Sequence, residues 1–404
     1  MKIALIKERK NPPDRRVVLT PHQAKELVDK CKELEIIVER SEGRDFSDKE
    51  YENQGLQLVD DVSDADVLLG VKEVPINALI PNKKYFFFSH TIKKQPYNRK
   101  LLQAILDKHI VLYDHETIID EKGIRLVAFG YYAGVVGAYN TIRTYGLKSG
   151  LFEIPKAIDL KDKQHLIEKL KEIKSKLPAI KIVLTGKGRV GNGAKEILDT
   201  IPIREVSTDE FLHQTFEEPV YVQIDADEYN KRKDGKDFEF QDFFTHPEYY
   251  EGNFERFTKV ADVYIAGHFY GRGAPYIFTK EQVQSSDNAI KVVGDISCDI
   301  AGPVVTTIKA SSIANPVYGY DPATGKETDF HNEHAIACMT VDNLPNEIAR
   351  DASEGFGSMF VKYIIPAFGN GDKDGILARA AMTTGDGKLT ERFSYLQDYV
   401  DGKE

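Results

Sequence analysis

The sequence KIVLTGKGRVG at residues 181–191 decides the fold class of this chain. Its first five residues are mostly apolar and β-branched, which is typical of a buried strand, and the run Ala194–Leu198 beyond the glycines is typical of a helix. Between them, Gly186, Gly188 and Gly191 form a GxGxxG pattern. This context predicts a strand, a tight turn and a helix, which together form one unit of a parallel α/β layer.

A glycine turn in this position is suited to bind the pyrophosphate of a dinucleotide. The backbone must approach the phosphates where a Cβ would clash, and the following helix directs free N–H groups and its positive dipole end at them. We therefore predict that a nicotinamide dinucleotide is bound by Gly186, Gly188, Arg189, Val190 and Gly191. A strand-to-helix turn without a ligand is the alternative, because the glycine pattern by itself is weak.

The choice between NAD and NADP depends on the residue about 20 positions downstream, where an acid binds the ribose of NAD. Glu205 and Asp209 are the candidates for this acid. Arg204 and Ser207, in the same segment, would suit the 2′-phosphate of NADP. Both cofactors stay open, with a slight preference for NAD.

The composition is that of an ordinary globular protein. Its 404 residues exceed the roughly 250 to 300 at which one core stops growing, so two domains are expected. A formal net charge of -10 repels nucleic acid and anionic lipid surfaces, and the apolar run at residues 1–6 is too short for a signal peptide or a membrane span. We predict a cytoplasmic protein that binds neither nucleic acid nor membrane.

The three cysteines, Cys31, Cys298 and Cys338, are isolated and have no CxxC spacing. Neither a disulfide framework nor a metal site is predicted from them.

The predicted fold is α/β, with two Rossmann-like lobes that have parallel sheets. Short strands alternate with helical stretches in the first part of the chain, at residues 2–6, 36–39, 67–71, 84–88 and 110–113. A buried helix over 130–145 leaves this lobe, a charged helix over 160–177 follows, and a second strand and helix series begins at Ile180.

Helical spacing returns at 344–365 and packs back on the first lobe. We therefore predict a dinucleotide-binding lobe of residues 136–334 inserted into a substrate lobe of residues 1–135 that is completed by residues 335–404. Residues 227–255 are expected to form a long loop or insertion, and the tail after Gly369 is rich in turns.

Titratable side chains follow three predicted strands at the carboxyl edge of the first layer, where α/β proteins bind ligands. Lys72 follows the strand at 67–71, and partial desolvation would lower its pKa enough for proton exchange near neutral pH. His90 follows the next strand, and its ordinary pKa of about 6.5 suits general acid-base work. His115 and Glu116 follow a third strand. The alternatives are an exposed lysine and a structural histidine.

Arg16 and Arg125 are candidate clamps for a carboxylate, because a guanidinium donates to both carboxylate oxygens. Both could equally be surface ion-pair residues.

Several segments together resemble the alanine dehydrogenase and saccharopine dehydrogenase superfamily, most closely its lysine-ketoglutarate reductase branch. The resemblance covers nearly the whole chain. Its specific pieces are RVVLTP at 16–21, GVKE at 70–73, FFSHTIK at 87–93, VAFG at 127–130 with Ala133 and Gly134, DISCD at 295–299 and VDNLP at 341–345.

The resemblance implies roles for individual residues. Lys72 and His90 match the acid-base pair, and Glu116 matches a nearby acid that modulates them. Arg16 and Arg125 match contacts to substrate carboxylates.

Two more residues complete the set of candidates: Asp295, which the resemblance implies, and Lys93, which several substrate carboxylates in one cleft would require. Lys93 would lie near the same carboxylates, and Asp295 falls where the family places an acid near the cofactor and substrate. The implied reaction is the reversible interconversion of saccharopine with lysine and 2-oxoglutarate, in which a carbon-nitrogen bond is oxidised or reduced by the nicotinamide.

Two other functions stay open at this point. One is oxidative deamination of a small amino acid, as in alanine dehydrogenase, and the other is a non-catalytic NAD(H)-binding protein. The presence of both Lys72 and His90 argues against the second. The sequence is compatible with a monomer or a homo-oligomer.

Overall fold

The structure is a computed structural model that describes residues 1–12, 14–201, 203–271 and 273–403. The chain forms two compact units: unit 1 comprises Met1–Phe129 and Ala349–Glu404, and unit 2 comprises Gly130–Ile348. The unit boundaries lie at 129/130 and 348/349, whereas the sequence suggested 135/136 and 334/335. The second boundary is later because the chain forms one more strand of the unit 2 sheet, Ile336–Met339, before it leaves that unit.

Within its described residues, unit 1 is built on a six-stranded sheet in which every pair of neighbours is parallel. The strands are β1 (Lys2–Leu5), β2 (Glu35–Glu39), β3 (Gln57–Val59), β4 (Val67–Leu69), β5 (Lys84–Phe87) and β6 (Val111–Asp114). Their order across the sheet is β3-β2-β1-β4-β5-β6. Sequence reasoning missed only β3 among these strands, because its three residues are half-exposed and form no apolar run.

The strands in the described part of unit 2 are β7 (Lys181–Thr185), β8 (Arg204–Glu205), β9 (Val220–Ile224), β10 (Asn230–Arg232), β11 (Tyr250–Gly252), β12 (Val263–Ala266), β13 (Val292–Asp295), β14 (Val317–Asp321), β15 (Lys326–Thr328) and β16 (Ile336–Met339). Eight of them form a mixed sheet in the order β15-β14-β16-β13-β12-β7-β9-β8, and β10 and β11 form a separate pair.

The prediction of two parallel sheets is confirmed for unit 1 and for most of unit 2, but it is wrong at one edge of unit 2. There β14 runs antiparallel to both β15 and β16. The short turn between β14 and β15, with Gly325 at φ +69°, allows the chain to reverse directly instead of crossing over through a helix.

Helices surround both sheets. The α-helices are α1 (Pro21–Lys30), α2 (Asp48–Asn53), α3 (Arg99–Asp107), α4 (Gly130–Ser149), α5 (Lys163–Glu172), α6 (Arg189–Thr200), α7 (Thr208–His213), α8 (Ala226–Tyr229), α9 (Phe240–Thr245), α10 (Glu255–Thr258), α11 (Lys280–Gln284), α12 (Ala349–Tyr363), α13 (Ile365–Gly369), α14 (Ile376–Ala380) and α15 (Gln397–Val400). Short 3-10 helices span Ile76–Ala78, Thr91–Lys93, Pro96–Asn98, Ala157–Asp159, Lys174–Lys176, Pro247–Tyr249, Leu344–Ile348 and Glu391–Leu396. Of the helices in the described residues, none is both long and apolar enough to cross a membrane.

The predicted buried helix at 130–145 is confirmed as α4, whereas the predicted charged helix at 160–177 is shorter. Asp162 caps the N-terminus of α5 through a hydrogen bond from the His165 N–H, so the regular helix begins only at Lys163.

Two segments in which no helix or strand was predicted contain regular secondary structure. Residues 226–252, here called the insert, contain α8, β10, α9 and β11, so of the two alternatives expected for residues 227–255, a long loop or an insertion, the long loop is wrong. The tail contains α14 and α15 and contributes Met382, Phe393, Leu396 and Tyr399 to the core of unit 1. Both segments are held by aromatic side chains spaced too irregularly to produce a helical or strand pattern.

Helix α12 belongs to unit 1, where it packs beside α1 and the segment before it. The Val17 N–H donates to Ser353 Oγ at 2.9 Å, and the side chain of Gln23 donates to the Glu354 carbonyl at 2.8 Å. The Phe356 ring stacks on Phe129 with centroids 4.3 Å apart. These contacts fix the 16–21 segment in unit 1.

Candidate active site

The carboxyl ends of β4, β5 and β6 carry Lys72, His90 and Glu116. The three strands are direct neighbours in the sheet, and the Gly70 N–H donates to the Phe86 carbonyl at 2.9 Å where β4 ends. The prediction that these strand ends are adjacent is therefore confirmed. Parallel strands bring such residues together because all of them finish at the same edge.

Lys72 is the lysine at this edge whose pKa is most changed. Burial lowers its pKa from 10.5 to about 8, and the positive charge of Arg16 lowers it further toward that value. A lysine with a pKa near 8 exchanges protons readily at neutral pH. The sequence-based expectation of a desolvated lysine agrees with this environment.

Glu8 fixes the backbone on which Lys72 is carried. It follows β1, and its carboxylate accepts the Val71 N–H at 2.6 Å and the Lys72 N–H at 2.8 Å. Burial raises the pKa of Glu8 to about 8, although these two hydrogen bonds act in the opposite direction. Sequence reasoning missed Glu8, and the only signal was an acid directly after the first strand, within a charged run.

His90 is paired with Glu73, another residue that sequence reasoning did not single out. His90 Nδ1 lies 2.5 Å from Glu73 Oε1, and Lys10 Nζ lies 3.6 Å from the other carboxylate oxygen. Burial tends to raise the pKa of Glu73, but the hydrogen bond and charge of His90 outweigh it and lower the pKa to about 2. With Nδ1 engaged, Nε2 is the ring nitrogen that can exchange a proton.

The backbone of His90 is strained. Its φ is +55°, in the left-handed region that non-glycine residues rarely adopt. Such strain costs about 1 to 3 kcal/mol and clusters at functional sites. The position of the imidazole is therefore imposed by the surrounding structure.

His115 and Glu116, which follow β6, have different environments. His115 Nε2 lies 2.9 Å from the Gly70 carbonyl, and burial lowers the pKa of the imidazole to about 3, so it is neutral and structural. Glu116 keeps one carboxylate oxygen buried without a hydrogen-bond partner among the described residues. Its other oxygen lies 3.9 Å from Arg125. His115 Nδ1 is likewise buried without a hydrogen-bond partner in the described part of the chain, but this ring is fully buried, whereas 16% of the Glu116 side chain is exposed. Glu116 is therefore the residue of this pair that a ligand can reach.

The two predicted carboxylate clamps differ in how they are held. Arg16 is buried and donates two hydrogen bonds to Asp14, at 2.9 and 2.6 Å, while its guanidinium lies 4.2 Å from the Phe129 ring centroid. Arg125 is less constrained, since 35% of its side chain is exposed and its Nε donates to the Val127 carbonyl at 3.1 Å. Lys93 is exposed at the end of the 3-10 helix that follows His90.

The glycine turn at residues 186–191 lies between β7 and α6 in unit 2. Gly186 has φ +93°, and a Cβ on Gly191 would lie 1.9 Å from the Gly186 carbonyl oxygen, so both positions require glycine. A Cβ on Gly188 would meet nothing within 4 Å. Because Gly188 is the N-cap of α6, the open space lies where a phosphate would receive free N–H groups. The turn therefore fits a dinucleotide.

Close packing against α4 sets the direction of α6. A Cβ on Gly134 would lie 1.9 Å from the Val190 carbonyl oxygen, and one on Gly193 would lie 2.1 Å from that of Tyr131. The two helices thus touch backbone to backbone, which only glycine permits at these positions.

The structure does not bring the two predicted ribose acids to the glycine turn. Glu205 lies on the edge strand β8, and its carboxylate is 2.6 Å from Lys195 Nζ. Asp209 has 87% of its side chain exposed on α7. Strand β9 lies between β7 and β8, and the residue that follows β9 is Asp225.

Asp225 and the glycine turn line the same cavity, of about 290 Å³. Sequence spacing pointed to the next strand along the chain, but here a two-residue strand and α7 precede the strand that pairs with β7. Asp225 is therefore the acid that the topology places beside the turn.

Asp295 ends β13 and is enclosed by its own loop. One carboxylate oxygen accepts from the Ser297 N–H, the Ser297 hydroxyl and the Cys298 N–H, and the other accepts from the Thr307 hydroxyl at 2.6 Å. Burial raises the pKa of Asp295. Both oxygens thus hold the loop, and a direct substrate contact stays a prediction.

No group of three His, Cys, Asp or Glu side chains in the described part of the chain is placed to hold a metal ion.

The parallel sheet of unit 1 and the glycine turn of unit 2 define a two-unit α/β protein of the dinucleotide-binding class. Residues 4–136 match the model of the alanine dehydrogenase/PNT N-terminal domain. By this model and by its curated relatives, the chain is similar to members of the alanine dehydrogenase and saccharopine dehydrogenase superfamily.

Two curated relatives and one solved structure illustrate the similarity. An alpha-aminoadipic semialdehyde synthase from Arabidopsis thaliana is 27% identical over 437 residues, which cover 98% of this chain and 41% of the relative. A saccharopine dehydrogenase (NAD(+), L-lysine-forming) from Schizosaccharomyces pombe is 26% identical over 375 residues, which cover 88% of this chain and 90% of the relative. The structure of an L-alanine dehydrogenase has a TM-score of 0.68 at 17% identity and covers both chains fully. This last match confirms the predicted fold.

The chain spans less than half the length of the semialdehyde synthases that it matches.

Proposed function

We propose that this chain is a saccharopine dehydrogenase of the L-lysine-forming type, equivalent to a lysine-ketoglutarate reductase. The observation that carries the proposal is the edge of unit 1, where Lys72 has a pKa near 8 and His90 is held by Glu73. The similarity to a protein named saccharopine dehydrogenase and to one named alpha-aminoadipic semialdehyde synthase supports the same proposal. Unit 1 would then be the substrate lobe, and unit 2 the dinucleotide lobe.

The reaction needs two groups that exchange protons near neutral pH. In the direction of saccharopine formation, the neutral ε-amine of lysine attacks the ketone carbon of 2-oxoglutarate, and the resulting carbinolamine loses water to give an imine. One side chain takes up a proton from the amine, and another gives a proton to the departing hydroxyl. Lys72 and His90 are suited to both tasks. The dinucleotide, when bound, supplies the hydride that reduces the imine in its protonated form to the secondary amine of saccharopine.

The carboxylates of the substrates require fixed positive charge near these groups. Arg125 and Lys93 have the exposure that a ligand contact needs, whereas Arg16 is held in a buried pair with Asp14. We assign the direct carboxylate contacts to Arg125 and Lys93, because an incoming carboxylate can reach their charged groups. Arg16 would then act by keeping the pKa of Lys72 low.

NAD is the proposed cofactor, because Asp225 lies beside the glycine turn and an acid there binds the ribose hydroxyls of NAD and repels the 2′-phosphate of NADP. Asp225→Ser should reduce the preference for NADH over NADPH. Glu205→Gln is the matched control, since Glu205 lies on the edge strand and should not affect the preference.

The decisive experiment follows the oxidation of NADH by the purified chain with lysine and 2-oxoglutarate, each omitted in turn, and identifies the product by mass spectrometry. The proposal expects oxidation only when both are present, with saccharopine as the product. Oxidation with pyruvate and ammonia instead would identify an alanine dehydrogenase activity. Binding of NADH without turnover of any of these substrates would identify a non-catalytic protein.

A further inference from the structure

The insert, residues 226–252, is an ordered segment that has no role in the proposed reaction. It begins immediately after Asp225, and Tyr229, Phe243 and Tyr250 anchor it in a buried core cluster of unit 2. The Tyr250 hydroxyl donates to the Asp242 carboxylate at 2.7 Å, and the Asn253 N–H donates to the Tyr229 carbonyl at 2.8 Å. These contacts hold α9 in a defined position.

Aromatic side chains of the insert line the cavity at the glycine turn. Residues 186–190 line one part of this cavity, and Tyr229, Phe243 and Phe244 of the insert line another, together with Phe269 from the loop after β12. Phe244 and Phe269 are 58% and 78% exposed. Large rings left in water around one cavity are an apolar surface that a flat ligand would cover.

A buried histidine in the same cavity also indicates a ligand. His268 is 6% exposed, and its Nδ1 lies 2.9 Å from Thr185 Oγ1. Its Nε2 is buried without a hydrogen-bond partner among the described residues. Burial lowers the pKa of this imidazole to about 4, so the ring is neutral at pH 7. Buried polar atoms are nearly always paired, and a bound group would supply the missing partner.

We propose that the insert is a base-recognition element: its Phe244, together with Phe269 of the loop after β12, stacks on the adenine of the dinucleotide, while His268 of that loop hydrogen-bonds to the same adenosine half. The proposal rests on the dinucleotide binding in the proposed function. The cavity of about 290 Å³ is at the lower end for ligand pockets, roughly 300 to 1,000 Å³, and so suits half of the cofactor. A purine stacks well on aromatic side chains because both have large flat faces.

The test is calorimetric titration of the full chain with ADP-ribose, which contains the adenine half without the nicotinamide. Phe244→Ala and Phe269→Ala should each raise the Kd for ADP-ribose about 5- to 100-fold, the loss expected for one base-stacking contact. Nicotinamide mononucleotide, which lacks the adenine, should bind these variants as it binds the wild type. Phe240→Ala is the matched control, since Phe240 is an exposed phenylalanine of the same helix that does not line the cavity.

Two results separate this inference from the proposed function. If both Phe244→Ala and Phe269→Ala bind ADP-ribose with wild-type affinity while the wild type oxidises NADH with lysine and 2-oxoglutarate, the role of the insert is refuted and the enzymatic proposal stands. If the variants lose ADP-ribose binding as expected but the wild type turns over no substrate, only the enzymatic proposal fails. Thermal unfolding of each variant by circular dichroism checks that the chain is folded.

Discussion

Replacing Lys72 by Met should stabilise the chain at neutral pH while removing most of its turnover. Burial and the charge of Arg16 hold the pKa of Lys72 near 8 instead of 10.5. At about 1.36 kcal/mol for each factor of ten, this corresponds to about 3 kcal/mol lost by the charged lysine on folding. Methionine fills a similar volume without a charge, so the free energy of unfolding should rise by up to about 3 kcal/mol at pH 7.

The gain in unfolding free energy from Lys72→Met should depend on pH. Below pH 8, Lys72 is charged in both the folded and the unfolded chain, so the full penalty applies. Between pH 8 and 10.5, the folded chain loses the proton first, so the penalty shrinks steadily as the pH rises. The advantage of Lys72→Met should therefore be largest at pH 7 and should fall by more than half at pH 9.5.

Urea unfolding followed by circular dichroism at both pH values measures this difference. Lys93→Met is the matched control, since Lys93 is exposed and should give almost no change in unfolding free energy. Turnover of Lys72→Met should fall by about 10² to 10⁴, the contribution of a general acid-base group. A variant that is less stable than the wild type at pH 7, or equally stabilised at both pH values, would refute the assigned environment of Lys72.

Three further predictions concern the residues around the two sites. Glu8→Ala removes the acceptor of two backbone N–H groups and should lower the unfolding free energy by about 1 to 3 kcal/mol for each, measured in urea; an unchanged midpoint would contradict its role. The pKa of Glu73 is lowered to about 2, so Glu73 stabilises the fold above pH 4.5 and loses this effect as the pH falls toward 2. The stability difference between wild type and Glu73→Gln should accordingly shrink from pH 6 to pH 3, and a constant difference would be inconsistent with the pairing to His90. Gly191→Ala should lower the melting temperature because its Cβ meets the Gly186 carbonyl, whereas Gly188→Ala should keep the melting temperature and weaken NADH binding; the reverse pattern would show that the turn does not hold phosphate.

The candidate site in unit 1 was predictable as far as it depends on strand ends. Lys72 and His90 each follow a run of buried apolar residues, and parallel strands bring such positions to one edge. Their partners were not predictable. Glu8 lies 64 residues before Lys72, and nothing in its local sequence indicates which backbone amides its carboxylate accepts.

The acid that lies beside the glycine turn was also not predictable from the sequence. The spacing rule selected Glu205 and Asp209, but the order of strands in the sheet places β9 beside β7 and brings Asp225 to the cavity. The regular structure of the insert was also not predictable, because its aromatic residues follow no period and gain their order only from packing in the core.

The sequence by itself determined the alternation of strands and helices and the position of the glycine turn. These features are local, since periodicity and the steric demand for glycine act over a few residues. Only the tertiary structure decided that Asp225 lines the cavity, that Glu73 holds His90 and that burial lowers the pKa of Lys72. Each of these depends on residues far apart in the chain, and their approach is set by the order of the strands and by the exclusion of water from the packed edge.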